Sequence, residues 1–170
     1  FWNYARTDSQ LINYKNVAID TESGLMGSWH FNNDSYIDYS NNENDLTAGG
    51  TPTANSLTGY DDKSMDFESS SSQYAYVETY TLYGEAVWDV LDITGDFTFE
   101  GWFNFESLPA EGDSMFFLSK GEYVVSASYD WGLENDGGTY KLFTKLYFTS
   151  SSAYIIEKEF TPSISTWNHL

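Results

Sequence analysis

Phe97-Thr98-Phe99-Glu100-Gly101-Trp102-Phe103-Asn104-Phe105-Glu106 alternates without a break: its odd positions carry Phe, Phe, Gly, Phe and Phe, its even positions Thr, Glu, Trp, Asn and Glu. Side chains on a strand point to opposite faces at successive residues, so a period of two with rings on one side describes a strand whose aromatic face is covered. A helix would scatter the same four phenylalanines around its circumference.

Working outward, the same period recurs. Leu142, Leu146 and Phe148 alternate with Lys141, Lys145 and Tyr147, and Tyr154, Ile156 and Phe160 alternate with Ile155, Glu157 and Glu159, with Thr149-Ser150-Ser151-Ser152 between them as a polar turn. Met115 to Leu118 is apolar throughout, which suits a central strand. Lys63 to Glu68 and Gln73 to Glu78 flank four serines and read as a hairpin pair, with Tyr74 and Tyr76 on one face and Ala75 and Val77 on the other. Leu25 to Phe31 reads as the first strand, and Leu46-Thr47 as a short one ahead of Gly49-Gly50. Residues 1–24 show neither period and read as an N-terminal arm or linker before a domain at 25–170. Apart from a short turn near Leu82 to Trp88, no segment keeps helical spacing over the ~10 residues a helix normally needs. Many short strands separated by turn residues predict an all-β fold, a two-sheet antiparallel sandwich of the jelly-roll kind with little or no helix.

Composition narrows the function. A length of 170 residues suits one domain, and an aromatic content of 19% supplies the apolar area a core requires. Asp and Glu number 26 against 7 Lys and Arg, a formal net charge of -19 that repels a phosphate backbone, so nucleic acid is excluded as a partner. The absence of Cys removes disulfides, thiolate metal sites and Cys nucleophiles. No run approaches the ~18 apolar residues that span a bilayer as a helix, so membrane insertion is not expected. The start at Phe1, without Met or a leader, suggests an excised or processed segment.

Gly24-Leu25-Met26-Gly27-Ser28-Trp29-His30-Phe31-Asn32, then Asp38-Tyr39-Ser40 with Asn42, Asn44 and Leu46-Thr47, resembles the opening of the laminin G-like branch of the concanavalin A-like jelly rolls. Ser64-Met65-Asp66-Phe67, Leu91 to Phe103, Leu118-Ser119-Lys120-Gly121 and Thr166-Trp167-Asn168-His169-Leu170 resemble later marks of that group, in order. The resemblance implies a secreted, cell-surface or virion-surface setting and a non-catalytic module that binds carbohydrate or protein at the sandwich rim. In that family further strands follow the last of these marks, so C-terminal strands are expected beyond Leu170, or a second chain in their place.

The resemblance also implies calcium at the rim, in the loops Asp38 to Asp45 and Asp130 to Asp136, with Asp38, Asn44, Glu134 and Asp136 as oxygen ligands. The residues alone leave another reading open. Asp38, Ser40, Asn42 and Asn44 fail the EF-hand pattern, with Glu43 at the required glycine and Gly49 at the required glutamate, and their side chains suit Asx turns. For a glycan, Trp131 beside Asp130 offers a ring for stacking and a carboxylate for hydroxyls, with Asn135 nearby, while Trp29, Trp102 and Trp167 read as core. Catalysis is not expected. The Glu-x-Asp-x-Glu pattern of the hydrolases of this fold is absent, and Glu100 and Glu106, ~20 Å apart on an extended strand, read as solvent-facing charges. His30 and His169 read as structural, and Asn33-Asp34-Ser35 has the form of a glycosylation acceptor. The rival to a binding module is a structural subunit of a virion, filament or surface layer, assembled from copies of the chain.

Overall fold

A computed structural model describes residues 1–32, 35–55, 64–77, 91–120, 128–149 and 152–170. The turn expected near Leu82 to Trp88, and Asn33 and Asp34 of the glycosylation acceptor, lie outside these residues. The described chain is all-β with antiparallel sheets and one short helix. It divides into two compact units, Phe1–Glu100 and Gly101–Leu170, with the boundary inside the phenylalanine ladder.

In the first unit, β1 (Leu46–Gly49) pairs with β4 (Tyr74–Val77), and β2 (Thr53–Asn55) with β3 (Ser64–Asp66). Among the described residues, the expected hairpin between the segments that hold β3 and β4 therefore does not form. Ser69–Ser71 between them is a 3₁₀ turn closed by Ser72 in the left-handed region, and each strand takes a partner from earlier in the chain. The face assignment within β4 stands, with Tyr74 and Tyr76 outward and Ala75 and Val77 half-buried. Leu25 to Phe31 is not a continuous strand; it makes isolated bridges, Leu25 with Trp2 and Trp29 with Asp38.

Residues 1–24 are not a detached arm. Trp2 lies between Leu25 and Thr98: its amide donates to the Thr98 carbonyl (2.9 Å) and its carbonyl accepts from the Thr98 amide (3.0 Å), while the amide of Met26 donates to the Phe1 carbonyl (2.8 Å). Phe1, Trp2, Leu25 and Leu91 are the buried apolar residues among those described in this unit, and the Phe1 ring packs on Phe99, 4.9 Å between centroids. The segment then turns into α1 (Asp8–Tyr14), started by Thr7: the Gln10 amide donates to the Thr7 hydroxyl, and the Thr7 amide donates to the Gln10 side chain. That reciprocal box, with Asp8 in the first turn, satisfies amides that a helix start leaves without partners.

In the second unit, β5 (Trp102–Asn104) pairs with β10 (Trp167–His169), and a four-stranded meander runs β6 (Ser114–Lys120), β7 (Ser128–Asp136), β8 (Thr139–Thr149), β9 (Ser152–Glu159). The ladder is thus a three-residue strand flanked by single bridges at Thr98 and Phe105, not one ten-residue strand. Its aromatic face still finds cover: Phe103 stacks on Phe117 (4.3 Å) and meets Trp131 edge-on (5.5 Å), and Phe105 is buried beside Phe117. The two sheets of this unit meet through these rings. β6, expected to be central, is an outer strand among the described residues, and Phe116 is exposed. A bulge between Phe116 and Leu118 explains how the apolar run is used, because the extra residue, Phe117, is turned toward the core.

Candidate binding surface

β7 decides where the expected site residues go. Asp130 to Asp136 is not a rim loop but the body of a nine-residue strand paired on both sides, and it ends in the two-residue turn Gly137-Gly138, both with positive φ, as a tight hairpin requires. The strand period then separates residues that the glycan reading grouped. Trp131, Leu133 and Asn135 point to the core face, while Asp130, Gly132, Glu134 and Asp136 share the other, polar face.

On the core face the half-buried Trp131 ring packs edge-on with Phe103 and Phe117. Asn135 is buried and structural: its side-chain amide donates to the Pro109 carbonyl (3.0 Å), its side-chain oxygen accepts from the Gly138 amide (3.0 Å), and its backbone bonds Gly112 and Asp113. On the polar face the Asp130 carboxylate is buried, accepting from the Ser119 hydroxyl (2.5 Å) and the Tyr147 hydroxyl (2.7 Å). Phe143 fills the notch over Gly132, where an added Cβ would lie 2.9 Å from its ring, and Lys145 covers that ring at 4.3 Å.

The residues expected to hold calcium are divided between the units. In the second, Glu134 lies 3.6 Å from the Lys145 ammonium and Asp136 accepts from Lys141 at 2.6 Å, with Glu157 3.4 Å from the same lysine. The hydrogen bond from Lys141, then its charge, holds the Asp136 carboxyl below its ordinary value of 3.8, and the same bond raises Lys141 above 10.5. A lowered carboxyl pKa means that the attraction is complete above pH 3.8 and is lost as pH falls through the lower folded value. On the lysine side it is present below pH 10.5 and lost as pH rises through the raised value. An NMR titration should place the Asp136 midpoint below 3.8, and Lys141→Met should return it to the ordinary value.

In the first unit Asp38 is buried and accepts four hydrogen bonds. One oxygen takes the amides of Ser28 (2.8 Å) and Ser40 (2.9 Å), the other the Ser40 hydroxyl (2.7 Å) and the Asn44 amide (3.0 Å). A carboxylate offers about four lone pairs, so protein donors fill this one, as the Asx-turn reading holds. Asn44 donates from its side chain to the Met26 carbonyl (3.0 Å), and Asn42 to the Leu25 carbonyl (2.9 Å), tying the turn to the segment ahead of it. Asp38→Ala would strand several donors at once and should destabilise the protein by about 3 kcal/mol in urea unfolding, with Asp38→Asn, which keeps one oxygen, costing less.

Two features escaped the sequence reading. Glu100 is not solvent-facing: it accepts from the Trp2 indole (2.6 Å) and from the Arg6 guanidinium, which is itself almost fully buried and stacked over the Trp2 ring at 4.3 Å. The other is β9. From Ala153 to Glu159 every residue is exposed, and Tyr154 (60%), Ile155 (48%) and Ile156 (50%) place three large apolar side chains in a row on the outermost strand of the meander. Alternation in this stretch was visible, but which strand ended the sheet was not. Searches against protein-family models, curated proteins and solved structures gave no match to this chain.

Proposed function

We propose that this chain is a non-catalytic binding or adhesion module that engages a protein ligand through its second unit. The observation that carries the reading is the outer strand of the meander, exposed from Ala153 to Glu159 and apolar at Tyr154, Ile155 and Ile156. Soluble proteins usually blunt or cover such edges, and an open one with exposed apolar side chains on both faces marks a contact surface. Protein is favoured over carbohydrate as the ligand because the ring chosen for sugar stacking, Trp131, packs against Phe103 and Phe117. Calcium is not required by this reading, since Asp38 is filled by protein donors and Asp136 is neutralised by Lys141. The jelly-roll sandwich and the extracellular setting rest on the likeness of Gly24 to Leu170 to the laminin G-like group, and so remain analogy.

The test is an array of extracellular proteins, extended peptides and glycans probed with the 170-residue chain, with and without chelator, beside a mass measurement by light scattering. A monomer that binds protein or peptide equally with and without chelator is expected. A signal confined to glycans and abolished by chelator, or a chain found only as a self-assembled polymer, would overturn the proposal, the second outcome in favour of a structural subunit.

A further inference from the structure

We infer that the outer edge of β9 is a strand-addition site for an extended basic peptide, in which apolar residues meet Tyr154 to Ile156 and Lys or Arg residues meet Glu157 and Glu159. This rests on the binding-module reading and specifies its ligand. β9 is bonded to β8 on one side, and among the described residues no strand lies on the other.

The phase of the β8–β9 ladder shows which main-chain groups are on offer. Tyr140 lies opposite Phe160 when the register is extended by one pair, and the Phe160 amide donates to the Tyr140 carbonyl at 3.0 Å. In an antiparallel ladder bonded and non-bonded pairs alternate, so Lys158, Ile156 and Tyr154 direct their amides and carbonyls to β8, and Glu159, Glu157, Ile155 and Ala153 direct theirs outward. A peptide laid along this edge can therefore bond in the manner of another strand, with specificity supplied by alternate side chains.

The usual defences of an edge are thin here. Residues 152–159 contain no proline, the irregularity in the pairing lies at Tyr147 to Thr149 of β8, and Lys158 is the one lysine on the strand. The side chains then select the occupant. Ile155, Glu157 and Glu159 share the polar face, and Tyr154, Ile156 and Lys158 the other. Glu159 and Glu157, the latter shared with Lys141 at 3.4 Å, on a chain of formal net charge -19, attract a cationic segment and repel a second copy of the same strand. An antiparallel ligand would read Lys-Thr-Lys-Val-Ile-Val opposite residues 159 to 154.

The test uses the full 170-residue chain and a fluorescent peptide of that sequence, with flanking glycines, in anisotropy titrations. Ile155→Pro removes an outward amide and leaves the bonds to β8 in place, so circular dichroism should be retained while the affinity falls at least about tenfold. A peptide with Glu in place of Lys should bind weakly, and raised salt should weaken the parent peptide. Should Ile155→Pro fail to fold, a peptide N-methylated at alternate residues, which cannot donate to the edge, serves against the unaltered protein and should lose binding. Undiminished binding to folded Ile155→Pro or of the N-methylated peptide, or no binding of the parent peptide, overturns the assignment. So does a dimer in sedimentation that Ile155→Pro dissolves, which would make the occupant a second copy. If array ligands still bind Ile155→Pro at full strength, the β9 site fails while the binding-module reading survives; if nothing on the array binds, both fail.

Discussion

Phe105→Ala is expected to destabilise the second unit by about 3–5 kcal/mol, the range for removing a buried phenyl ring and leaving a cavity. Phe105 is 3% exposed and lies beside Phe117, which also carries Phe103 and Trp131, so the ring is one of those through which β5 and the four-stranded sheet meet. For a unit of this size that loss corresponds to a fall in Tm on the order of 10 °C or more. Phe105→Leu keeps most of the volume and should cost less than half as much. Calorimetry on the three proteins measures this; equal melting of Phe105→Ala and the parent would mean that the aromatic face is not covered.

Trp2→Ala should have a comparable effect, again about 3–5 kcal/mol, from a position that composition and period place in a linker. Trp2 is 3% exposed, is bridged on both sides by main chain, and lends its indole to Glu100 and its ring face to Arg6. Truncation removes the ring and also a hydrogen-bond donor to the Glu100 carboxylate, which is paired with Arg6, a combination that costs more than volume alone. Trp2→Phe separates the two contributions, since it restores most of the packing without the indole donor, and should recover more than half of the loss. Urea unfolding followed by circular dichroism reads both variants, and a true linker would leave the midpoint unchanged.

The strands whose reading succeeded are those whose side chains carry their own pattern. β8 and β9 alternate over eight or more residues, and the two tyrosines of β4 face outward as their spacing implies. β7 was illegible because Asp-Trp-Gly-Leu-Glu-Asn-Asp is poor in β-branched residues and rich in turn formers; its strand character comes from β6 and β8 pairing with it on both sides. Pairing partners were equally hidden. β4 joins β1 across 24 intervening residues, and nothing in the serines before it excludes the local hairpin. The helix at Asp8–Tyr14 did carry a local signal, Thr7-Asp8-Ser9-Gln10, a capping box that the short apolar pattern after it concealed. Of the candidate site residues, Asp38 makes the Asx-type turn, its carboxylate accepting from the Ser40 amide two residues on, whereas the Asn44 side chain reaches the Met26 carbonyl instead. Asp130 and Trp131 were grouped as neighbours in sequence although a strand sends them to opposite faces.

The openness of β9 is tested most directly by amide hydrogen exchange of the free protein, residue by residue. Slow exchange at Tyr154, Ile156 and Lys158 with fast exchange at Ile155 and Glu157 is the predicted result, because alternate amides face β8 and solvent. Slow exchange at Ile155 and Glu157 as well would show that another strand already occupies the edge, and the proposed peptide site would not exist.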